Sequence, residues 1–166
     1  MSNPDHTSPC DRRILRFGDV DEMLEEARRL AEATRVEPIG RWTLGQALNH
    51  VAGWIEFPWT GYPKELVFDA EARAAAVLAK PRLMVEAMEP GERLPGIERG
   101  TLVLEVVPKS IGLDRLESAA QWLRGDGAAF TPHEDPAFGR ITRREWMEIN
   151  LRHAELHFGF FRIVGE

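Results

Sequence analysis

The sequence predicts an all-α fold, an antiparallel four-helix bundle with loop excursions, and three observations carry that expectation. Apolar residues recur at three- and four-residue spacing in four separate stretches, the period of a helix with one buried face. Several of those stretches open on a side chain able to cap a helix, with Glu or Gln three residues further on. The one β-prone run, TLVLEVV at 101–107, has no second run to pair with, so an extended loop or edge segment is expected there rather than a sheet.

The elements follow in order. Residues 1–13, rich in Ser, Pro, Asp and Asn, read as a loose tail, and residues 14–166 as a single domain that Ile14, Leu15 and Phe17 join by docking on it. Asp19 and Glu22 have capping-box spacing, and Val20, Met23, Leu24, Ala27, Leu30 and Ala31 trace the apolar stripe of a first helix that ends by Glu37, before Pro38 and Gly40. Thr43 and Gln46 open the second helix. Its stripe is Leu44, Leu48, Val51 and Ile55, with His50 beside the flank of Ala47, Trp54 and Phe57, and it is ended by Pro58, Gly61 and Pro63. The aromatics Phe57, Trp59 and Tyr62 then form an elbow expected to pack over one end of the domain. Residues 69–88 have high helical propensity, but Pro81 removes a backbone donor and is expected to kink or split that helix. Residues 90–112 are irregular. Asp114 and Glu117 have capping spacing ahead of Leu116, Ala119, Ala120 and Leu123, closed by Gly125, and Thr142 with Glu145 opens a long last helix running to about Val164.

Length and composition narrow the function. A chain of 166 residues fits one domain with an adequate core, and 43% hydrophobic with 29% charged residues is ordinary for a globular protein. The net charge of −6, with acidic residues interleaved among the basic ones, argues against a nucleic-acid footprint. A single cysteine, Cys10, allows no intrachain disulfide and sits among turn formers rather than in a basic environment that would activate it. The opening residues lack a signal-peptide pattern and no apolar run is long enough to span a membrane, so a cytoplasmic location is expected.

The candidate chemistry lies in the last helix. Trp146, Ile149, Asn150, His153, His157, Phe160 and Val164 fall on one helical stripe, the face that should be buried. Two imidazoles one turn apart on a core face either need hydrogen-bond partners or are ligands of one metal ion, and His50 faces them if the second helix packs opposite. Asn150, one turn before His153, either orients a ligand or water or is an ordinary core amide. RHAELHF is not the HExxH of metalloproteases, because Ala154 stands where the general-base glutamate would be, and Glu155 is expected to face solvent. His133 reads as a loop or capping residue ahead of the alternative that it lines the site, and His6 as part of the tail. Arg140, Arg143, Arg144 and Arg152 give the last helix a basic flank, which a solvated charged face explains at least as well as anion binding, and the five tryptophans read as core and helix-end packing.

WTLGQALNHVAGWIE and HEDPAFGRITRREWMEINLRHAELHFGFF, with the spacing between them, resemble the DinB/YfiT-like superfamily, within it a branch known only as a domain of unknown function. The resemblance covers most of residues 14–162. It implies a four-helix bundle in which one histidine from the second helix and two from the last bind a divalent metal, commonly nickel or zinc: here His50, His153 and His157. It also implies kinship with transferases and isomerases that use bacillithiol, mycothiol or glutathione. The chain departs from the pattern at Asn150 and Leu156, where relatives often carry further polar or histidine residues, and in the elbow after Phe57.

The resulting expectation is a metal-dependent thiol transferase or hydrolase, with a low-molecular-weight thiol as cofactor and substrate entering by the loops around 57–66 and 90–112. Its partner is a small-molecule substrate, with neither nucleic acid nor membrane, and a homodimer is compatible with the sequence. The rival readings are a non-enzymatic metal- or ligand-binding, stress-responsive protein, and a structural bundle with buried histidines.

Overall fold

The computed structural model describes residues 12–91, 105–125 and 133–165. Five helices account for most of them: α1 (Val20–Glu32), α2 (Leu44–Thr60), α3 (Ala70–Val85), α4 (Lys109–Arg124) and α5 (Arg143–Phe158). Two three-residue strands, β1 (Val36–Pro38) and β2 (Phe161–Ile163), pair antiparallel with Glu37 opposite Arg162. The architecture is an all-α bundle with one small ribbon. No helix among the described residues is long and apolar enough to cross a membrane.

Capping chemistry sets most of the helix starts. The Asp19 carboxylate accepts from the Glu22 amide, and Thr43 with Gln46 and Thr142 with Glu145 form complete reciprocal boxes, so donors left over at each first turn are satisfied locally. The Asp114–Glu117 expectation is corrected. The N-cap of α4 is Pro108, six residues earlier, with no side-chain cap bond, and Asp114 lies inside the helix. Proline at this boundary has a fixed φ compatible with entering a helix and has no N–H to leave unpaired. Gly125 ends α4 as expected, in the left-handed conformation. Neither Pro58 nor Pro81 splits its helix: α2 continues to Thr60 and α3 to Val85. In the β-prone run only residues 105–107 are described, and they are not strand; 101–104, the tail to residue 11 with His6 and Cys10, and 126–132 lie outside the described residues.

The last helix stops at Phe158 rather than near Val164. Residues 161–163 leave the helical stripe to pair with β1, and the Ile39 amide donates to the Phe160 carbonyl at 2.7 Å. The ribbon satisfies backbone groups there, among them the Ile39 amide on the Phe160 carbonyl and the Val164 amide on the Arg35 carbonyl, in place of a further helical turn.

Direction within the bundle follows from which residues meet. Arg28 pairs with Glu117 and Arg124 with Asp21, so α1 and α4 run antiparallel. The Trp146 indole N–H donates to the Ile55 carbonyl and His50 meets His153 and His157, so α2 and α5 are antiparallel too. By contrast α2 and α4 run parallel, with Gly45 against Val107 and Pro108, Asn49 against Arg115, and Trp59 stacked on Trp122. The excursion through α3 returns the chain to the same end. α3 lies on α5, tied by Lys80 to Glu145 at 2.7 Å, with only Ala76 and Leu83 fully buried.

Residues 12–17 are laid over the end of α5. The Arg13 amide donates to the Gly159 carbonyl, and its guanidinium reaches the Phe161 carbonyl and Glu26. Leu15 and Phe17 pack on the core, whereas Ile14, 89% exposed, does not. Glu155 corrects the expectation that it faces solvent. It is 2% exposed, accepts from the Phe17 amide at 2.5 Å and pairs with Arg152, whose guanidinium also donates to the Phe17 carbonyl. Arg152 therefore belongs to this buried clasp and not to a solvated flank. Burial raises the Glu155 carboxyl, and the Phe17 amide and the Arg152 charge oppose that rise. The helical wheel placed both residues outward because it has no knowledge of the N-terminal segment that covers them.

α2 lies very close to α4 and to the residues just before it. A Cβ on Gly45 would lie 1.9 Å from the Val107 carbonyl oxygen, and one on Gly112 would lie 2.8 Å from the Gly45 oxygen. Gly45→Ala gains about 1 kcal/mol in helix propensity, but the clash with backbone forces the helices apart at a cost of about 1–3 kcal/mol or more. The substitution is expected to lower the urea midpoint at unchanged m-value; a rise in midpoint would show that the contact is looser than described.

Candidate metal centre

Three imidazoles converge between α2 and α5. His50 is carried by α2, three residues after the core residue Ala47, and His153 and His157 lie one turn apart on α5, so the antiparallel packing of two helices is enough to bring them together. His50 Nε2 is 3.1 Å from His153 Nε2, and His157 Nε2 is 3.0 Å from the same atom. All three ligand atoms lie within 4.8 Å of one another. Each candidate metal residue read from the sequence is therefore in the cluster.

Hydrogen bonding alone fits this arrangement poorly. A neutral imidazole has one N–H and one in-plane lone pair, so His153 Nε2 cannot make a well-aligned bond with both neighbours at once. Ligands about 2.0–2.1 Å from one ion, at bond angles of roughly 90–110°, stand about 2.8–3.4 Å apart. The separations of 3.1 and 3.0 Å fall within that interval, and three neutral nitrogens are a donor set suited to a divalent ion. Among the described residues, the group contains no carboxylate.

The surroundings keep the histidines neutral and oriented. His153 and His157 retain some accessible surface but sit deep in the bundle; burial lowers both well below the ordinary histidine value, and neighbouring imidazoles push in the same direction. Trp42, just before the Thr43 cap, stacks on His157 with centroids 4.8 Å apart and planes 6° from parallel, and meets His50 edge-on at 4.9 Å. Trp54 meets His50 and His153 edge-on from the other side. These two indoles define which way the rings face, a role the sequence did not disclose, since tryptophan beside a capping box is most often packing. The signal available was the spacing: Trp42 and Trp54 flank His50 at −8 and +4 on the same segment.

The remaining candidates are elsewhere. Asn150 is an ordinary core amide, donating to the Trp146 carbonyl one turn back at 2.9 Å. His133 is exposed and lies beside Gly61 at the end of α2, outside the cluster. In the turn that follows it, Asp135 accepts from the Ala137 and Phe138 amides and raises, together with burial, the Tyr62 hydroxyl. That turn fixes the approach to α5. Of the loops expected to admit substrate, Pro90 and Gly91 border a cavity beside His157, whereas 57–66 does not; 92–104 lies outside the described residues.

The depressed histidines give a pH signature. Their folded-state values lie below the 6.5 of the free side chain, so as pH falls through 6.5 the unfolded chain takes up protons that the folded chain refuses. Stability of metal-free protein should be intact above that pH and fall on acidification by about 1.4 kcal/mol per pH unit for each histidine. Urea midpoints at successive pH values check this; a flat profile for His153 and His157 together would contradict their burial as neutral groups.

Residues 10–163 match the family described as Protein of unknown function (DUF1569), nearly the whole of the sequence. No curated protein and no solved structure matches the chain significantly. On the extent of that match, this chain belongs to the DUF1569 family.

Proposed function

We propose that this protein is a metal-dependent enzyme on a DinB-like bundle, in which His50, His153 and His157 hold one divalent ion, nickel or zinc, and thiol transfer is favoured over hydrolysis. The observation that carries the reading is the convergence of three ring nitrogens at separations of 3.0 and 3.1 Å along two of the three pairs. Three protein ligands leave a coordination position for substrate, which distinguishes a reactive site from a closed structural one. An ion held there would favour the thiolate form of a low-molecular-weight thiol, such as bacillithiol, mycothiol or glutathione, or the hydroxide form of a water.

The chain's own residues bear on the choice between those chemistries. Hydrolysis gains from a side-chain base within reach of the attacking water, and the nearest carboxylate along α5, Glu155, is turned into the Phe17 clasp. Thiol transfer needs no such base if the thiol arrives deprotonated. Trp42 packs on His157 and Trp54 on His153, which fixes the imidazole rings without supplying a base. The lack of a carboxylate in the cluster, among the described residues, also supports a second reading, a non-enzymatic metal- or ligand-binding protein of the sensor or stress-responsive kind.

Elemental analysis of protein purified without a histidine tag is expected to find about one divalent ion per chain. His153→Ala or His157→Ala should abolish stoichiometric binding and His6→Ala should not; full metal content in the double variant would overturn the assignment. Nickel- or zinc-loaded protein should then accelerate reaction of one of the three thiols with an electrophilic substrate. Rates equal in wild type and His153→Ala for every thiol would remove thiol transfer and leave the binding reading.

A further inference from the structure

Beside His157 the bundle end holds a cavity of about 230 Å³. Its wall includes Trp42, Leu156, His157, Phe160 and Phe161, with Arg41 as its one charged residue, so one of the three clustered imidazoles borders a surface that is mostly carbon. An apolar cavity of about 150 Å³ is enough to hold benzene. The volume here therefore takes one six-membered ring with a short arm, and not a fused bicyclic group with substituents.

Two details show that the space is built into the fold. Leu156 is 8% exposed yet stands outside the hydrophobic cluster that fills the bundle, so its side chain lines the cavity instead of packing the core. At Gly40 an added Cβ would meet only Phe160 Cδ1, at an ordinary 3.7 Å. Packing does not demand glycine there, and its missing side chain leaves room. The indole of Trp42 serves both places, stacked on His157 and exposed to the cavity, so a ring seated against it is held within reach of the histidine cluster.

We propose that this cavity is the subsite for the apolar group of the substrate, a single aromatic ring or a branched alkyl group of similar bulk, whose functional group then lies at the His157 side of the three-histidine centre. The inference rests on reading that centre as the reaction site. Recognition is by burial of the ring against Trp42, Phe160 and Leu156, with size set by Leu156.

The test has two arms. In the first, metal-free protein is titrated with benzyl alcohol and with naphthalenemethanol, following the Trp42 indole and His157 ring resonances by NMR. Benzyl alcohol should shift both saturably and bind about tenfold or more tightly than the bicyclic probe, for which the cavity is too small. Leu156→Phe, which fills the space, should abolish that binding; Leu156→Ala, which enlarges it, should reverse the preference and stays informative if the filled variant does not fold. Absence of saturable shifts, or a preference unchanged in the enlarged variant, overturns the proposal. In the second arm, cobalt-loaded protein is titrated with benzyl mercaptan and 2-mercaptoethanol, reading the sulfur-to-cobalt charge-transfer band. Benzyl mercaptan should bind about tenfold or more tightly, and equal affinity of the two thiols overturns the proposal. Loss of the band with both thiols, while benzyl alcohol still binds and responds to Leu156, counts against the metal centre alone.

Discussion

Where α2 and α4 cross, at Gly45 and Gly112, the two backbones approach so closely that a methyl group on either would collide with the other helix. That contact sets the position of α2, and α2 is the element on which the site depends. One side is pressed on α4, aided by Arg115, which bridges to Asn49 and Glu56. The other side offers His50 to α5. With α2 fixed from behind, the indole bond from Trp146 to the Ile55 carbonyl fixes α5 in front, about two turns before His153. The separation of the imidazoles is thus determined by backbone packing on one side and a buried hydrogen bond on the other, not by the histidines themselves.

The same helix α5 carries two polar groups of opposite character. On the α2 side are imidazoles that burial drives towards the neutral form; on the side covered by residues 12–17 is the Arg152–Glu155 pair, where burial also works against charge and the two partners and the backbone of Phe17 oppose it. Buried charge is tolerable only with such partners, and removing either one would strand the other at a cost of about 3–5 kcal/mol. The arrangement orders residues 12–17 over the helix end, and it withdraws the only acidic side chain between the two histidines from any role as a base near them.

Much of this was legible in the sequence where local chemistry decides the outcome. Thr43–Gln46 and Thr142–Glu145 are self-contained boxes, so those helix starts could be read directly, and the period of α5 put His153 and His157 on one face. What escaped depends on segments distant in the chain. Asp114 looked like a cap because nothing local shows that Pro108 already starts the helix, and the end of α5 was misplaced because β1, some 125 residues earlier, takes residues 161–163 into a ribbon. Glu155 and Arg152 were assigned to solvent for the same reason: a helical period reports which face is apolar, not which polar residues another segment covers. Trp42 and the cavity beside it are tertiary products of three segments and leave no pattern in any one of them.

The convergence of His50 with His153 spans 103 positions of chain. During synthesis at roughly 5–20 residues per second, the first imidazole waits roughly 5–20 s for the other two to be made. Helices α1, α2 and α4, which contact one another without α5, can associate in that interval, while the face of α2 bearing His50 has no partner. The three-histidine cluster is consequently a late product of assembly, formed only once α5 has closed on a face of α2 that was made long before it.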